Sequence, residues 1–233
     1  GIDRSERDRE GMIAVNANVV SALCDRVAKE PDRGWTGARL VHVGSSLEYG
    51  NVRGRVLEEL EPRPTSVYGQ SKLAGTRHVV RAGQVRGLPA RVVRLFNVYG
   101  PGEPRGRLLP TLLRARESGD RVALTAGHQQ HDFTYVEDVA EGLLRLGASR
   151  AVPGDVVNLA TGHLTSVRTF VDTAATVLGI DQSMLEFGSI PIPAEEISHG
   201  EVDIAHLLNL TGWVPPTTVA QGIRRSLEHD NGR

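Results

Sequence analysis

Apolar residues recur at helical spacing over residues 12–29 (Ile13, Val15, Val19, Val20, Leu23, Val27), which predicts an amphipathic helix ending before Pro31. After a loop with Gly34 and Gly37, the run ARLVHVGSS is apolar until Gly44 stops it, and it predicts a buried parallel strand. Residues 50–64 are irregular and punctuated by glycine and proline. A long helix is predicted over about 66–86, ending near Gly87 and Pro89, and ARVVRLFNVYG predicts a second buried strand running into a loop. The pieces then shorten. LLPTLLRARESG is an amphipathic helix, RVALTA a brief strand, FTYV a strand, and 137–147 a helix with Glu137 and Asp138 in its first turn. DVVNLA is another strand, followed by a helix over 165–178 capped by Thr165 or Ser166. Helical pieces at 203–210 and 217–229 flank GWVPP.

Strands alternating with helices predict an α/β fold built on a doubly wound parallel sheet. No repeat, low-complexity tract or linker interrupts it, and the loop at 100–107 is the best boundary between a strand-helix half and a smaller lobe.

Composition narrows the classes. A net charge of −1 gives no electrostatic reason to expect nucleic acid or a membrane surface as partner. No apolar run approaches the ~20 residues that cross a bilayer, and no basic-plus-apolar leader opens the chain. The single cysteine, Cys24, lies among apolar helix positions and reads as a buried thiol, and a cytoplasmic location is expected. Only Lys29 and Lys72 among 27 basic residues are lysines, which draws attention to each.

Tyr68-Gly-Gln-Ser-Lys72 places a phenol and an ammonium at i and i+4, on one face of the predicted helix. An ammonium beside a phenol favours the phenolate. Such a tyrosine can exchange a proton with a carbinol or ketone oxygen while hydride moves at the adjoining carbon. With four tyrosines and two lysines in the chain, coincidence also produces this spacing. Ser45 and Ser46 follow a buried strand directly, and ligands of doubly wound sheets bind beyond strand carboxyl ends. Loop serines are common at strand ends as well. Asn97 suits either a ligand contact or the turn before Gly-Pro-Gly. His128 and His131 lack a third ligand at metal-binding spacing. Arg94 and Arg121 are possible phosphate contacts, though arginine is too common here to favour either.

VHVGSSLEYG, EPRPTSVYGQSKLAGT, VVRLFNVYGPGE, HDFTYVEDVAEG and LTGWVPPTTVAQGI, in this order, resemble the NAD-dependent epimerase/dehydratase family, the extended short-chain dehydrogenases/reductases that modify nucleotide sugars. The resemblance covers essentially the whole chain. It implies a Rossmann-like sheet, incomplete at the N-terminus, with residues 1–100 as a partial dinucleotide-binding and catalytic domain. Residues 101–233 would form mainly a smaller α/β substrate lobe, with some segments returning to the main sheet. It further implies Ser45 as catalytic hydroxyl, Tyr68 as general acid/base, and Lys72 as the ribose-binding residue that tunes the tyrosine. Asn16, Phe96 and Val98 would join Tyr68 and Lys72 beside an NAD or NADP cofactor, while Ser46 and Asn97 would meet a nucleotide-sugar substrate. Asp138 matches a structural acidic position, and a homodimer through the Tyr68 helix and the preceding helix is implied.

The departures from the family pattern shape the expected chemistry. No GxxGxxG turn is present, so the chain by itself is expected to hold a nicotinamide cofactor poorly unless that part is contributed elsewhere. Ser46 and Leu47 stand where sugar-nucleotide dehydratases carry an acid pair, with Glu48 one position late, which disfavours dehydration. Gly102 replaces the histidine of fucose-synthase-like enzymes, and His131 replaces an arginine of the phosphate clamp. The remaining pattern suits NAD(P)-dependent reduction of an NDP-4-keto-6-deoxyhexose at C4. The alternatives are a 4-epimerase using the same tyrosine and serine, or a truncated, non-catalytic remnant that binds a sugar nucleotide.

Overall fold

The structure, a computed structural model, describes residues 9–31, 34–193, 196–197 and 199–231. The N-terminal helix is continuous but made of three pieces: α1 (Arg9–Ile13), a π-turn at Ala14–Asn18, and α2 (Val19–Lys29). It buries Met12, Asn16, Ala17, Val20 and Cys24, while Val15, Val19 and Leu23 lie exposed. The apolar period therefore merges two stripes, of which the fold buries one. The π-turn inserts an extra residue per turn and shifts the register between the helix halves.

Next come β1 (Leu40–Ser45), α3 (Val67–Arg86), β2 (Ala90–Leu95), β3 (Asn97–Tyr99), α4 (Leu108–Ser118), β4 (Val122–Leu124), β5 (Gln130–Tyr135) and α5 (Val136–Ala148). The chain finishes with β6 (Asp155–Leu159), β7 (Leu164–Ser166), α6 (Val167–Leu178), β8 (Leu185–Phe187), α7 (Ala205–Thr211) and α8 (Val219–Asn231). Strands β1, β2 and β6 form a parallel sheet in that order, with Val93 between Val43 and Val157. Alternate β2 side chains face opposite sides. Ala90 and Val92 pack with Cys24, Val79 and Ala82 beneath α2 and α3, and Val93 packs with Val139, Leu146 and Leu207 beneath α5 and α7. Helices on both faces make the doubly wound arrangement that the alternation predicts.

Phe96 is where one predicted strand becomes two. β2 ends at Leu95, and Asn97 opens β3, which pairs with β5 in a second sheet of order β3-β5-β7. β5 and β7 are antiparallel, so Thr165 is strand rather than helix, and Ser166 caps α6 by accepting from the Thr169 N–H at 3.0 Å. A further pair, β4 with β8, includes a strand that the pattern does not reveal, because three residues are too few to establish a period. Tyr99, Leu112, Phe133, Tyr135, Phe170 and Ile223 centre the core around these shorter elements.

Candidate active site

A cavity of about 1020 Å³ opens beyond the carboxyl ends of β1 and β2. Ser45, Ser46, Tyr68, Lys72, Phe96, Asn97 and Val98 all line it, so the structure brings together seven of the eight residues that the family resemblance assigns to catalysis, cofactor and substrate.

Ser45 ends β1 in extended conformation and caps a short 3-10 turn over Ser46–Glu48. Its Oγ accepts from the Leu47 N–H at 3.2 Å, while its own N–H donates to Glu48 Oε1 at 2.9 Å. Glu48 is fully buried and turned away from the cavity. Its carboxylate also accepts from Thr76 Oγ1 on α3 and Arg94 Nε on β2, each at 3.0 Å. The Arg94 guanidinium stacks 4.3 Å above the Tyr49 ring, and the Tyr49 hydroxyl donates to Asn158 Oδ1 on β6 at 2.8 Å. Burial pushes the Tyr49 phenol up to about 12, so it stays neutral. The Ser45 turn is thereby pinned to two strands and a helix. Arg94, considered above as a phosphate contact, is instead a buried counter-ion. Arg121 pairs with Glu186 at 2.8 Å on the surface.

Ser66 starts α3 by accepting from the Gly69 N–H at 3.1 Å, which puts Tyr68 in the first turn and Lys72 one turn later. A Cβ on Gly69 would stand 2.4 Å from the Leu47 carbonyl oxygen. The glycine between Tyr68 and Lys72 therefore lets α3 approach the Ser45 turn closely. Lys72 Nζ donates to the Val43 carbonyl oxygen at 2.5 Å. Burial lowers its pKa from the ordinary lysine value, with the Glu48 charge opposing.

Asn16 is the exception among the eight. It is buried behind α3, outside the cavity lining, and its Nδ2 donates to Ser71 Oγ at 3.0 Å. Ser71 Oγ in turn donates to the Tyr68 carbonyl at 2.8 Å, so Asn16 braces the helix that carries Tyr68. The close packing of this segment on α3 explains the difference, because a Cβ on Gly75 would lie 2.1 Å from the Asn16 carbonyl oxygen.

Sequence reasoning assigned no role to several cavity groups. His131 Nε2 meets Glu196 Oε1 at 2.7 Å, and the His199 ring packs edge-on against Phe96 with centroids 5.5 Å apart. Glu103, at the end of the NVYGPGE run, also lines the cavity. The one available signal for it was an acidic residue directly after a Gly-Pro-Gly turn. Asp138 proves structural, accepting from the Thr217 N–H and hydroxyl at 2.9 Å each. Among the described residues, no group of three His, Cys, Asp or Glu side chains could hold a metal ion, and no helix is long and apolar enough to cross a membrane.

The donor set suits the nicotinamide–ribose end of a dinucleotide: an ammonium and a phenol one helical turn apart and a strand-end hydroxyl, all lining one roomy cavity. The glycine-rich cradle that a pyrophosphate needs is not in this sequence.

Comparison with known proteins gives a consistent picture. The model of the NAD dependent epimerase/dehydratase family matches residues 1–160. A dTDP-6-deoxy-L-talose 4-dehydrogenase (NAD(P)(+)) of Kitasatospora kifunensis is 31% identical over 216 residues, covering 89% of this chain and 67% of the relative. A GDP-6-deoxy-D-mannose reductase of Pseudomonas aeruginosa is 29% identical over 206 residues, covering 84% and 66%. The structure of a UDP-glucuronic acid 4-epimerase variant from Bacillus cereus, in complex with a fluorinated UDP-sugar and NAD, superposes with a TM-score of 0.87. It is 21% identical, covering 100% of this chain and 72% of that one, and this likeness concerns the fold. The chain spans between 59% and 67% of the length of four curated relatives it matches. The family match over most of the chain and the talose dehydrogenase's identity carry one conclusion: the chain belongs to the NAD dependent epimerase/dehydratase family.

Proposed function

We propose that this chain carries the catalytic and substrate-binding side of an NAD(P)-dependent reduction of an NDP-4-keto-6-deoxyhexose at C4. The observation that carries the reading is the convergence of Ser45, Tyr68, Lys72 and Asn97 on one cavity at the strand carboxyl ends. The inward turn of Glu48 against Arg94 supports reduction over dehydration, since the carboxylate nearest Ser45 in sequence is spent on structure.

When bound, NAD(P)H supplies the hydride that reduces C4. Tyr68 delivers a proton to O4, so the ketone becomes a secondary alcohol and the phenolate left behind regains its proton from solvent. Ser45 donates a hydrogen bond to the same oxygen and holds the carbonyl against Tyr68. Lys72, partly desolvated, stabilises the phenolate and reaches the ribose hydroxyls. Phe96 and Val98 would hold the nicotinamide, and Ser46 and Asn97 would contact the sugar nucleotide. Residues 1–100 serve the cofactor and catalytic side and 101–233 mainly the substrate side, a division supported by the change of sheet at Phe96. The exposed stripe of Val15, Val19 and Leu23 beside α3 supports a homodimer.

The test is turnover of a dTDP-4-keto-6-deoxyhexose with NADH or NADPH by the wild type and Tyr68→Phe. The variant is expected to turn over about 10²–10⁴-fold more slowly, the usual size of a general-acid contribution. Equal rates would remove Tyr68 from its role. Stoichiometric NAD retained by the protein, with sugar interconversion and no net consumption of NADH or NADPH, would replace the reductase by a 4-epimerase.

A further inference from the structure

The fully buried carboxylates Asp132 and Glu48 are well matched. Asp132 accepts from the N–H groups of Thr161, Gly162 and His163 and from the Thr161 hydroxyl, and Glu48 takes three donors of its own. Glu103 breaks this pattern. It stands on the turn after β3, where Gly100 and Gly102 adopt positive φ and the Glu103 N–H donates to the Gly100 carbonyl at 3.3 Å. Its side chain is only partly buried and lines the cavity, and neither oxygen of its carboxylate takes a hydrogen bond among the described residues. Arg107, which also lines the cavity, influences that carboxyl only through its field.

A buried acceptor without a donor opposes folding. In the cavity that holds Ser45 and Tyr68, a bound molecule can supply that donor in place of water. That donor is not a phosphate, which a carboxylate repels. The neutral hydroxyls and amide of Ser45, Ser46 and Asn97 around the same cavity suit a polyol ring. We infer that Glu103 is a specificity residue that accepts a hydrogen bond from a ring hydroxyl of the hexosyl group, and so selects substrates that keep a hydroxyl at the carbon facing it. This rests on the reading of the cavity as a sugar-nucleotide site. Burial that raises the Glu103 pKa to about 7 agrees with a carboxyl awaiting a partner, and it makes the contact strongest above neutrality.

The experiment uses the full chain at pH 8, titrated calorimetrically with dTDP-glucose and separately with dTDP, then with UDP-glucose and UDP. Glu103→Met, which keeps the length of the side chain without the acceptor, is expected to weaken the sugar nucleotide about 10-fold or more. It should leave the nucleoside diphosphate unchanged and raise the melting temperature of the unliganded protein. Glu103→Gln should fall between wild type and Glu103→Met in sugar-nucleotide affinity. A purely structural carboxylate would give the opposite pair of results, with lower stability and equal loss for both ligands, and that outcome overturns the assignment. Unchanged affinity for the sugar nucleotide overturns it too. If the wild type binds neither class of ligand, the sugar-nucleotide reading itself fails, and this inference fails with it.

Discussion

At the residue scale, the support beneath Ser45 rests on one buried ion pair. Glu48 and Arg94 are both nearly or fully removed from solvent and 3.0 Å apart. Removing one partner of such a pair strands the other charge, which typically costs about 3–5 kcal/mol, whereas replacing both by apolar groups costs far less. Glu48→Leu is therefore expected to lower unfolding free energy by roughly that amount, and Glu48→Leu with Arg94→Leu to recover much of it, as read by urea denaturation. A double variant no more stable than Glu48→Leu alone would show that Arg94 does not depend on Glu48. The candidate catalytic residues were legible in sequence because Tyr68 and Lys72 are related by helical spacing and Ser45 by its place at a strand end. Glu48 was legible only as a displaced acid, since its partners Arg94 and Thr76 lie 46 and 28 residues away.

At the element scale, α3 works because it begins at Ser66 and approaches its neighbours through glycines. Gly69→Ala would drive a methyl to within 2.4 Å of a backbone oxygen in the Ser45 turn, so the helix start must shift. Small misplacements of reacting groups can cost about 10²-fold in rate. Turnover by Gly69→Ala is expected to slow by about 10-fold or more with KM little changed, measured in the proposed steady-state reduction of a 4-keto sugar nucleotide. A rise in KM at unchanged turnover would instead place the damage in substrate binding. The long helix and both buried strands were readable from local apolar periods. The division of ARVVRLFNVYG at Phe96 was not, because apolar residues continue across the break and the change of sheet depends on β5, more than thirty residues further on. The same reason hides β7 and β8, whose strand character comes from their partners rather than from themselves.

At the scale of the whole molecule, two groups shifted in opposite directions contribute to stability against pH. Burial pushes His42 down to about 4 from 6.5, with the nearby Lys72 charge adding to it, and its Nε2 has no partner among the described residues. Its folded pKa is the lower one, so its contribution is present above about pH 6.5 and is lost as pH falls towards 4. Glu103 runs the other way. Its folded pKa, about 7, exceeds the ordinary 4.5, so its contribution is present below pH 4.5 and is lost as pH rises towards 7. His42→Leu should therefore flatten the acid-side loss of stability between pH 6.5 and 4.5 by up to ~3 kcal/mol in urea unfolding; an unchanged slope would remove His42 from this role. The sequence alone determined the alternation of strand and helix, the Tyr68–Lys72 face and the strand-end position of Ser45. Each of these follows from a repeat or spacing within a few residues, where backbone geometry dictates which side chains share a face. Tertiary structure alone decided which stripe of the N-terminal helix is buried, that Asn16 braces α3 from behind, that Glu48 turns inward, and that Glu103 Oε2 meets no donor among the described residues. Those outcomes depend on packing between segments distant in sequence, and a local pattern carries no information about what will be packed against it.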